Sequence, residues 1–283
     1  MDVDCGLCFS TVSSFIYLHT KFSYLLGGNN LVGTIPDEIG ALAYLTSLNL
    51  KRNHLSGKVP ASLRKLKSLV ELDLSENQLS STFPNLLEAD TLQTIQISHN
   101  LFSGSLPFVG RDVVNFNVSN NNFEGVVPLF FPGCTSFAGE NLELLDFSYN
   151  AFNGQFSFKF DGLTYRNLKI LKMDGNSFHG YLAFSCGFQD IRLGDCDSSR
   201  GFWRKMPSLT VLSASKNQFT GPVSMYMGEM EHLQEINLSE NALSGPIPST
   251  IGKLRNLKIL QLHDNNLTGT IPESFAALSS LGT

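Results

Sequence analysis

No stretch of about twenty uninterrupted apolar residues occurs in the sequence, so no segment is long and greasy enough to cross a bilayer as a helix. Basic runs are equally scarce. No block of Lys or Arg exceeds a pair, and 20 basic against 25 acidic residues leave a net charge of −5. That removes the positive footprint by which nucleic acids and anionic membranes are bound. Catalytic signatures are missing too: there is no phosphate-binding glycine loop after a strand, no Gly-x-Ser-x-Gly elbow, no His-Glu-x-x-His and no kinase-like set. Cys5 and Cys8 make one Cys-x-x-Cys pair, but no second Cys/His pair at ligand spacing follows, so neither a metal nor a cofactor is expected. The reading is a protein that is not an enzyme.

What the sequence does have is repetition. At 283 residues, 42% hydrophobic and 16% charged, the chain can bury a large core. The phrase "LSASKNQFTG" (212–221) has near-copies in "LNLKRNHLSG", "LDLSENQLSS", "INLSENALSG" and "LQLHDNNLTG". A catalytic loop occurs once, whereas a phrase that recurs along the whole chain is architecture. Anchoring each copy on its Asn gives Asn29, Asn53, Asn77, Asn100, Asn121, Asn150, Asn176, Cys196, Asn217, Asn241 and Asn265, about eleven units of roughly 24 residues.

Apolar residues recur eight, five and three places before each anchor, as in Leu45, Leu48, Leu50 and Leu257, Leu260, Leu262. The L-x-L alternation predicts a short strand with two side chains inward and one outward, and stacked copies predict one parallel sheet. A sharp turn must follow, and an Asn there can satisfy backbone groups with both its amide and its carbonyl. Two residues on, Leu or Phe fills the opposite wall, which accounts for much of the Phe total of 22.

Several units continue as Gly-x-Ile-Pro, for example "GTIPDEIGAL" (33–42) and "GPIPSTIGKL" (245–254). With the L-x-x-L-x-L-x-x-N phrase, this resembles the plant-type leucine-rich repeat over nearly the whole chain. The resemblance implies an α/β solenoid, a right-handed superhelix with a concave parallel β-sheet, a second short strand near the Gly-x-Ile-Pro and a helical or 3₁₀ segment on the convex side. It also implies a recognition module binding a peptide or protein ligand, as in plant receptor-like proteins and receptor kinases, with a co-receptor as a further partner. A secreted inhibitor resembling the polygalacturonase-inhibiting proteins, or an intracellular scaffold, are the alternatives. The location implied is extracellular or cell-surface, membrane-anchored in a longer protein; an intracellular one stays open, since "MDVDCGLCFSTVSSFIYL" begins acidic where a secretory signal is basic.

Residues 1–18 read as a degenerate N-terminal segment and 19–283 as the array, irregular over 126–207 and lacking a C-terminal cap, so that the chain reads as a fragment. Ile271, Phe275, Leu278 and Leu281 are expected to lie uncovered in the last unit. Five cysteines cannot all pair within one chain; Cys186 and Cys196 could form a disulfide in a secreted setting, and buried thiols are the other reading for Cys134, Cys186 and Cys196.

Polar residues occupy the outward strand positions. One row lies four before the anchor and includes Asp146, Lys172, Arg192, Ser213 and Asn237; another, two before it, includes Ser75, Ser98, Ser119, Ser148, Asp174, Ser215, Ser239 and His263. These rows need no charge or hydroxyl for folding and are expected to face water or a polar partner. Asp146, Ile170, Lys172, Asp174, Asp190, Arg192, Val211, Ser213, Ser215 and Asn237 form the expected ligand-binding set. In it, Lys172 and Arg192 hold a ligand carboxylate while Ile170 and Val211 contact a side chain. Three N-x-S/T sequons, at Asn117, Asn237 and Asn266, are glycosylation candidates, with Asn266 the best placed.

Overall fold

The computed structural model describes residues 21–86, 89–107, 109–110, 112–127, 141–155, 165–182, 203 and 206–282. Two compact units divide the chain, the first ending at Gly125 and the second resuming among the described residues at Val126. The boundary falls at the start of the stretch read as irregular.

Unit 1 alternates two kinds of strand: β1 (Phe22–Leu25), β2 (Val32–Gly33), β3 (Leu45–Asn49), β4 (His54–Gly57), β5 (Glu71–Asp73), β6 (Gln78–Thr82), β7 (Thr94–Gln96), β8 (Leu101–Gly104), β9 (Asn115–Asn117) and β10 (Asn122–Gly125). Odd strands pair with odd and even with even, always in parallel. Each coil therefore contributes one strand to each of two sheets. Within the strands Leu48, Leu72, Ile95 and Phe116 are buried while the residues on either side point outward, and the second apolar residue of each L-x-L, Leu50, Leu74, Ile97 and Val118, is buried just past the strand end. Facing them, Leu55, Leu79, Phe102 and Phe123 line the wall under the second sheet. Phe102 and Phe123 stack at 6.1 Å with planes 23° apart, the offset arrangement aromatic pairs prefer.

Unit 2 repeats the plan with β11 (Leu144–Asp146), β12 (Ala151–Gln155), β13 (Ile170–Lys172), β14 (Ser177–Tyr181), β15 (Val211–Ser213), β16 (Gln218–Pro222), β17 (Glu235–Asn237), β18 (Ala242–Pro246), β19 (Ile259–Gln261) and β20 (Asn266–Thr268). Outside the strands, 3₁₀ turns run over Asp37–Ala41 and Ala61–Lys65 in unit 1, and over Met225–Glu229, Ser249–Lys253 and Glu273–Ala277 in unit 2. Four of the five start directly after a proline, whose fixed φ suits the first turn. They stack closely enough that a Cβ on Gly228 would overlap the Thr250 carbonyl.

The turn asparagines weld coil to coil. Asn100 is buried; its Nδ2 donates to the carbonyls of Ile97 (3.3 Å) and Ser98 (3.2 Å) in its own turn and of Leu74 (3.0 Å) in the preceding coil, while its Oδ1 accepts from the Leu79 N–H at 2.9 Å. Asn53, Asn77 and Asn121 in unit 1, and Asn176, Asn217, Asn241 and Asn265 in unit 2, are bonded in the same pattern. Asn29 and Asn150 bond the carbonyls of their own turns.

One expected coil is not among the described ones. β13 pairs directly with β15, Ile170 opposite Val211 and Lys172 opposite Ser213, and Asn217 reaches the Met173 carbonyl at 2.9 Å. The described residues thus form ten coils, against the eleven counted, and none of the ten stands between Asn176 and Asn217. Cys196 itself, like Cys5, Cys8, Cys134, Cys186, Asp190 and Arg192, lies outside the described residues. In the last described coil Ile271 and Leu281 are exposed as expected, whereas Leu278 is buried beneath its own 3₁₀ turn.

Candidate functional site

The first outward row differs between the units. In unit 1 it reads Ser47, Glu71, Thr94, Asn115, in register from strand to strand. In unit 2 it reads Leu144, Ile170, Val211, Glu235, Ile259. Leu144, Ile170 and Val211 are consecutive, half-buried, and set on the sheet face that points away from the core. Parallel strands lie about 4.8 Å apart, so the three form a continuous apolar stripe. The coil needs no apolar group at this position, as unit 1 demonstrates. Sequence reading sets Leu144, Ile170 and Val211 outward, but the adjacency of Ile170 and Val211 spans 41 positions and emerges only from the pairing.

The second outward row, Asp146, Lys172, Ser213, Asn237 and Gln261, lies beside the stripe. Its Asx members have a structural duty: Asn237 Oδ1 accepts from the Ser239 N–H (3.2 Å) and hydroxyl (2.8 Å), as Asn117 does from Ser119 and Asp73 from Ser75. This Asx turn closes the strand end. It also corrects the expectation for the serine row. Ser75, Ser98, Ser119, Ser148, Ser215 and Ser239 are buried, the hydroxyls of Ser75, Ser119 and Ser239 folded back on their own turns, and of the two-before positions Lys51 and His263 are exposed.

Asp174 departs furthest from expectation. Placed by the sequence on the solvent face, it is buried. Its Oδ1 accepts from the Ser213 hydroxyl (2.6 Å), the Ser215 N–H (2.7 Å) and the Ser215 hydroxyl (2.6 Å), and its Oδ2 from the Ser148 hydroxyl at 3.4 Å. The reason is local. Lys172 occupies the capping place of its own coil, and Ser213 is too short to cap the next, so Asp174 caps that coil from the neighbouring strand. Asp174, Ser213 and Ser215, all buried, are turned on each other rather than offered to a ligand.

Asp146 and Lys172 stay at the surface of this group. Burial raises the Asp146 carboxyl above its ordinary value and the Asp174 charge adds to this; the Ser148 N–H and hydroxyl and the Lys172 ammonium act against it. Tyr149, which sequence reading passed over, borders the same face and is 48% exposed. Its ring lies against Gly175, where a Cβ would stand 2.5 Å from the ring; glycine is what lets the ring lie flat. The signal was present as an aromatic one place before its anchor, with Gly at the same place in the next coil.

Among the described residues no three His, Cys, Asp or Glu side chains are grouped to hold a metal ion, and no helix is long and apolar enough to cross a membrane. With this geometry in place, comparison with known proteins is informative. A family model described as leucine rich repeat matches residues 25–79 and 231–283, on either side of the irregular stretch. Those two stretches carry leucine-rich repeats. The chain is similar to Receptor-like protein 54 of Arabidopsis thaliana, 27% identical over 169 residues, 50% of this chain and 21% of that protein.

Solved leucine-rich repeat structures align over more of it. The plant peptide hormone receptor RGFR1, solved in complex with RGF2, is 27% identical with a TM-score of 0.70, covering 92% of this chain and 42% of the receptor. The TDR receptor is 26% identical with a TM-score of 0.73, covering 99% and 49%. The PEPR1–AtPEP1 complex gives 26% identity, a TM-score of 0.64, and 92% and 40% coverage. The chain thus spans less than half the length of each of these relatives.

Proposed function

We propose that the chain is a non-catalytic recognition module that binds a peptide across the outward face of the odd-numbered strands in unit 2. The observation that carries the reading is the stripe of Leu144, Ile170 and Val211 on a face where folding asks for nothing apolar. Covering three half-buried side chains contributes roughly 1 kcal/mol each, together about a hundredfold in affinity. Lys172 takes a carboxylate of the ligand and the exposed edge of Tyr149 borders the site. Arg192, expected to share that carboxylate, lies outside the described residues. One similar chain, RGFR1, is a plant peptide hormone receptor solved in complex with RGF2, which supports a peptide as the ligand class; a cell-surface location within a longer membrane-anchored protein and a co-receptor as further partner belong to the same reading.

The test is to pan a displayed random-peptide library on the immobilised chain. Enriched peptides carry apolar residues with an acidic group. They lose about tenfold or more in affinity on Lys172→Ala and Ile170→Asp, and nothing on Lys253→Ala in the 3₁₀ turn. Equal affinity for all three variants overturns the placement.

A further inference from the structure

The three sequons differ in what their side chains already do. Asn117 and Asn237 are half-buried on β9 and β17, each holding its own sequon serine through Oδ1. Asn237 stands in register between Ser213 and Gln261, so a sugar on its Nδ2 would have to rise over both neighbours and across the face proposed for the ligand. Asn266 is different in each respect. It begins β20, in the other sheet, and its side chain and that of Thr268 are both exposed while Leu267 between them points inward. Among the described residues no hydrogen bond engages its amide.

The corresponding residues of other coils, His54, Gln78, Asn122, Ser177, Gln218 and Ala242, are all exposed and chemically unrelated. The fold therefore sets no requirement at this place, and a bulky group there displaces nothing. We infer that Asn266 is an N-glycan acceptor and that the glycan stands on the wall away from the ligand face, leaving Asn117 and Asn237 bare. The inference rests on the cell-surface reading above. In the transfer, the Asn266 amide nitrogen forms a bond to the anomeric carbon of a polyprenyl-diphosphate-linked oligosaccharide. The carbon–oxygen bond to phosphate breaks, the polyprenyl diphosphate leaves with its electron pair, and one amide proton passes to a base.

The experiment places the full chain behind a secretory signal in a plant or insect cell host and takes both the secreted and the endoplasmic-reticulum-retained pools. Enzymatic glycan release in ¹⁸O water converts an occupied Asn to labelled Asp, read by peptide mass spectrometry. Label at Asn266 alone, with loss of one glycan from the gel mobility of Asn266→Gln, is the expected result. Label at Asn117 or Asn237, or an unlabelled Asn266 in both pools, overturns it. Affinity for a panned peptide is unchanged in Asn266→Gln, so failure here is distinguishable from failure of the peptide-binding proposal.

Discussion

Unit 1 and unit 2 share one framework and present different faces. Their inward residues are interchangeable in kind: Leu72, Ile95 and Phe116 in one, Leu145, Leu171, Leu212 and Ile236 in the other. The outward row runs Ser47, Glu71, Thr94, Asn115 in the first and Leu144, Ile170, Val211 in the second. A second contrast concerns continuity. In unit 1 successive anchors lie 21 to 24 positions apart in sequence, whereas in unit 2 Asn176 and Asn217 belong to adjacent coils across 41. What stays fixed between the units is what the coil needs to close; what varies is free for recognition.

The comparison is sharpened most strongly by removing a weld. Asn100→Ala in unit 1 strands several buried backbone groups at once, and should cost about 3–5 kcal/mol by chemical denaturation. The same change at Asn217 should cost a similar amount, since its bonds to Met173, Ala214 and Ser215 are equivalent despite the 41 positions that separate it from Asn176. A much smaller loss at Asn217 would show that the junction is held by something else.

Next in size is Asp174→Ala. It removes the shared acceptor of Ser213 and Ser215 and should cost about 2–3 kcal/mol. Hydrogen exchange locates the effect: amides of β13 and β15 lose protection while those of β5 and β7 in unit 1 keep theirs. Uniform loss across both units would break the comparison.

Asp146 gives the smallest effect, and its sign follows from burial. A carboxyl raised above its ordinary value in the folded state binds its proton more tightly there than in the unfolded chain. Its contribution is therefore most favourable below the ordinary value and is lost as pH rises through the raised one. Asp146→Asn should flatten that acid-side slope, with neutral-pH stability held or slightly increased; an unchanged slope would assign it to other groups.

Much of this was legible in the sequence because the repeat fixes which residues face inward. The Asn ladder, the Phe wall and the paired strands follow from spacing alone. Spacing failed where a length coincided with a period: 41 residues is close to two short units, so the count set a coil between Asn176 and Asn217, where β13 pairs directly with β15. Alternation failed at the serines, since it assumes the strand continues, whereas the chain turns and brings Ser75, Ser119 and Ser239 back onto their Asx partners. Asp174 was misplaced for the same reason. Its acceptors' partners lie 39 and 41 residues away, beyond the reach of any local pattern.

The claim that recognition resides in the apolar stripe of unit 2 is tested most directly by two matched triple variants, assayed by calorimetry against one panned peptide. Leu144→Ser, Ile170→Ser and Val211→Ser together should weaken binding by about a hundredfold. Glu71→Ser, Thr94→Ser and Asn115→Ser, at the equivalent positions of unit 1, should leave it within about twofold. Equal losses in the two variants, or a larger loss in unit 1, would contradict the account.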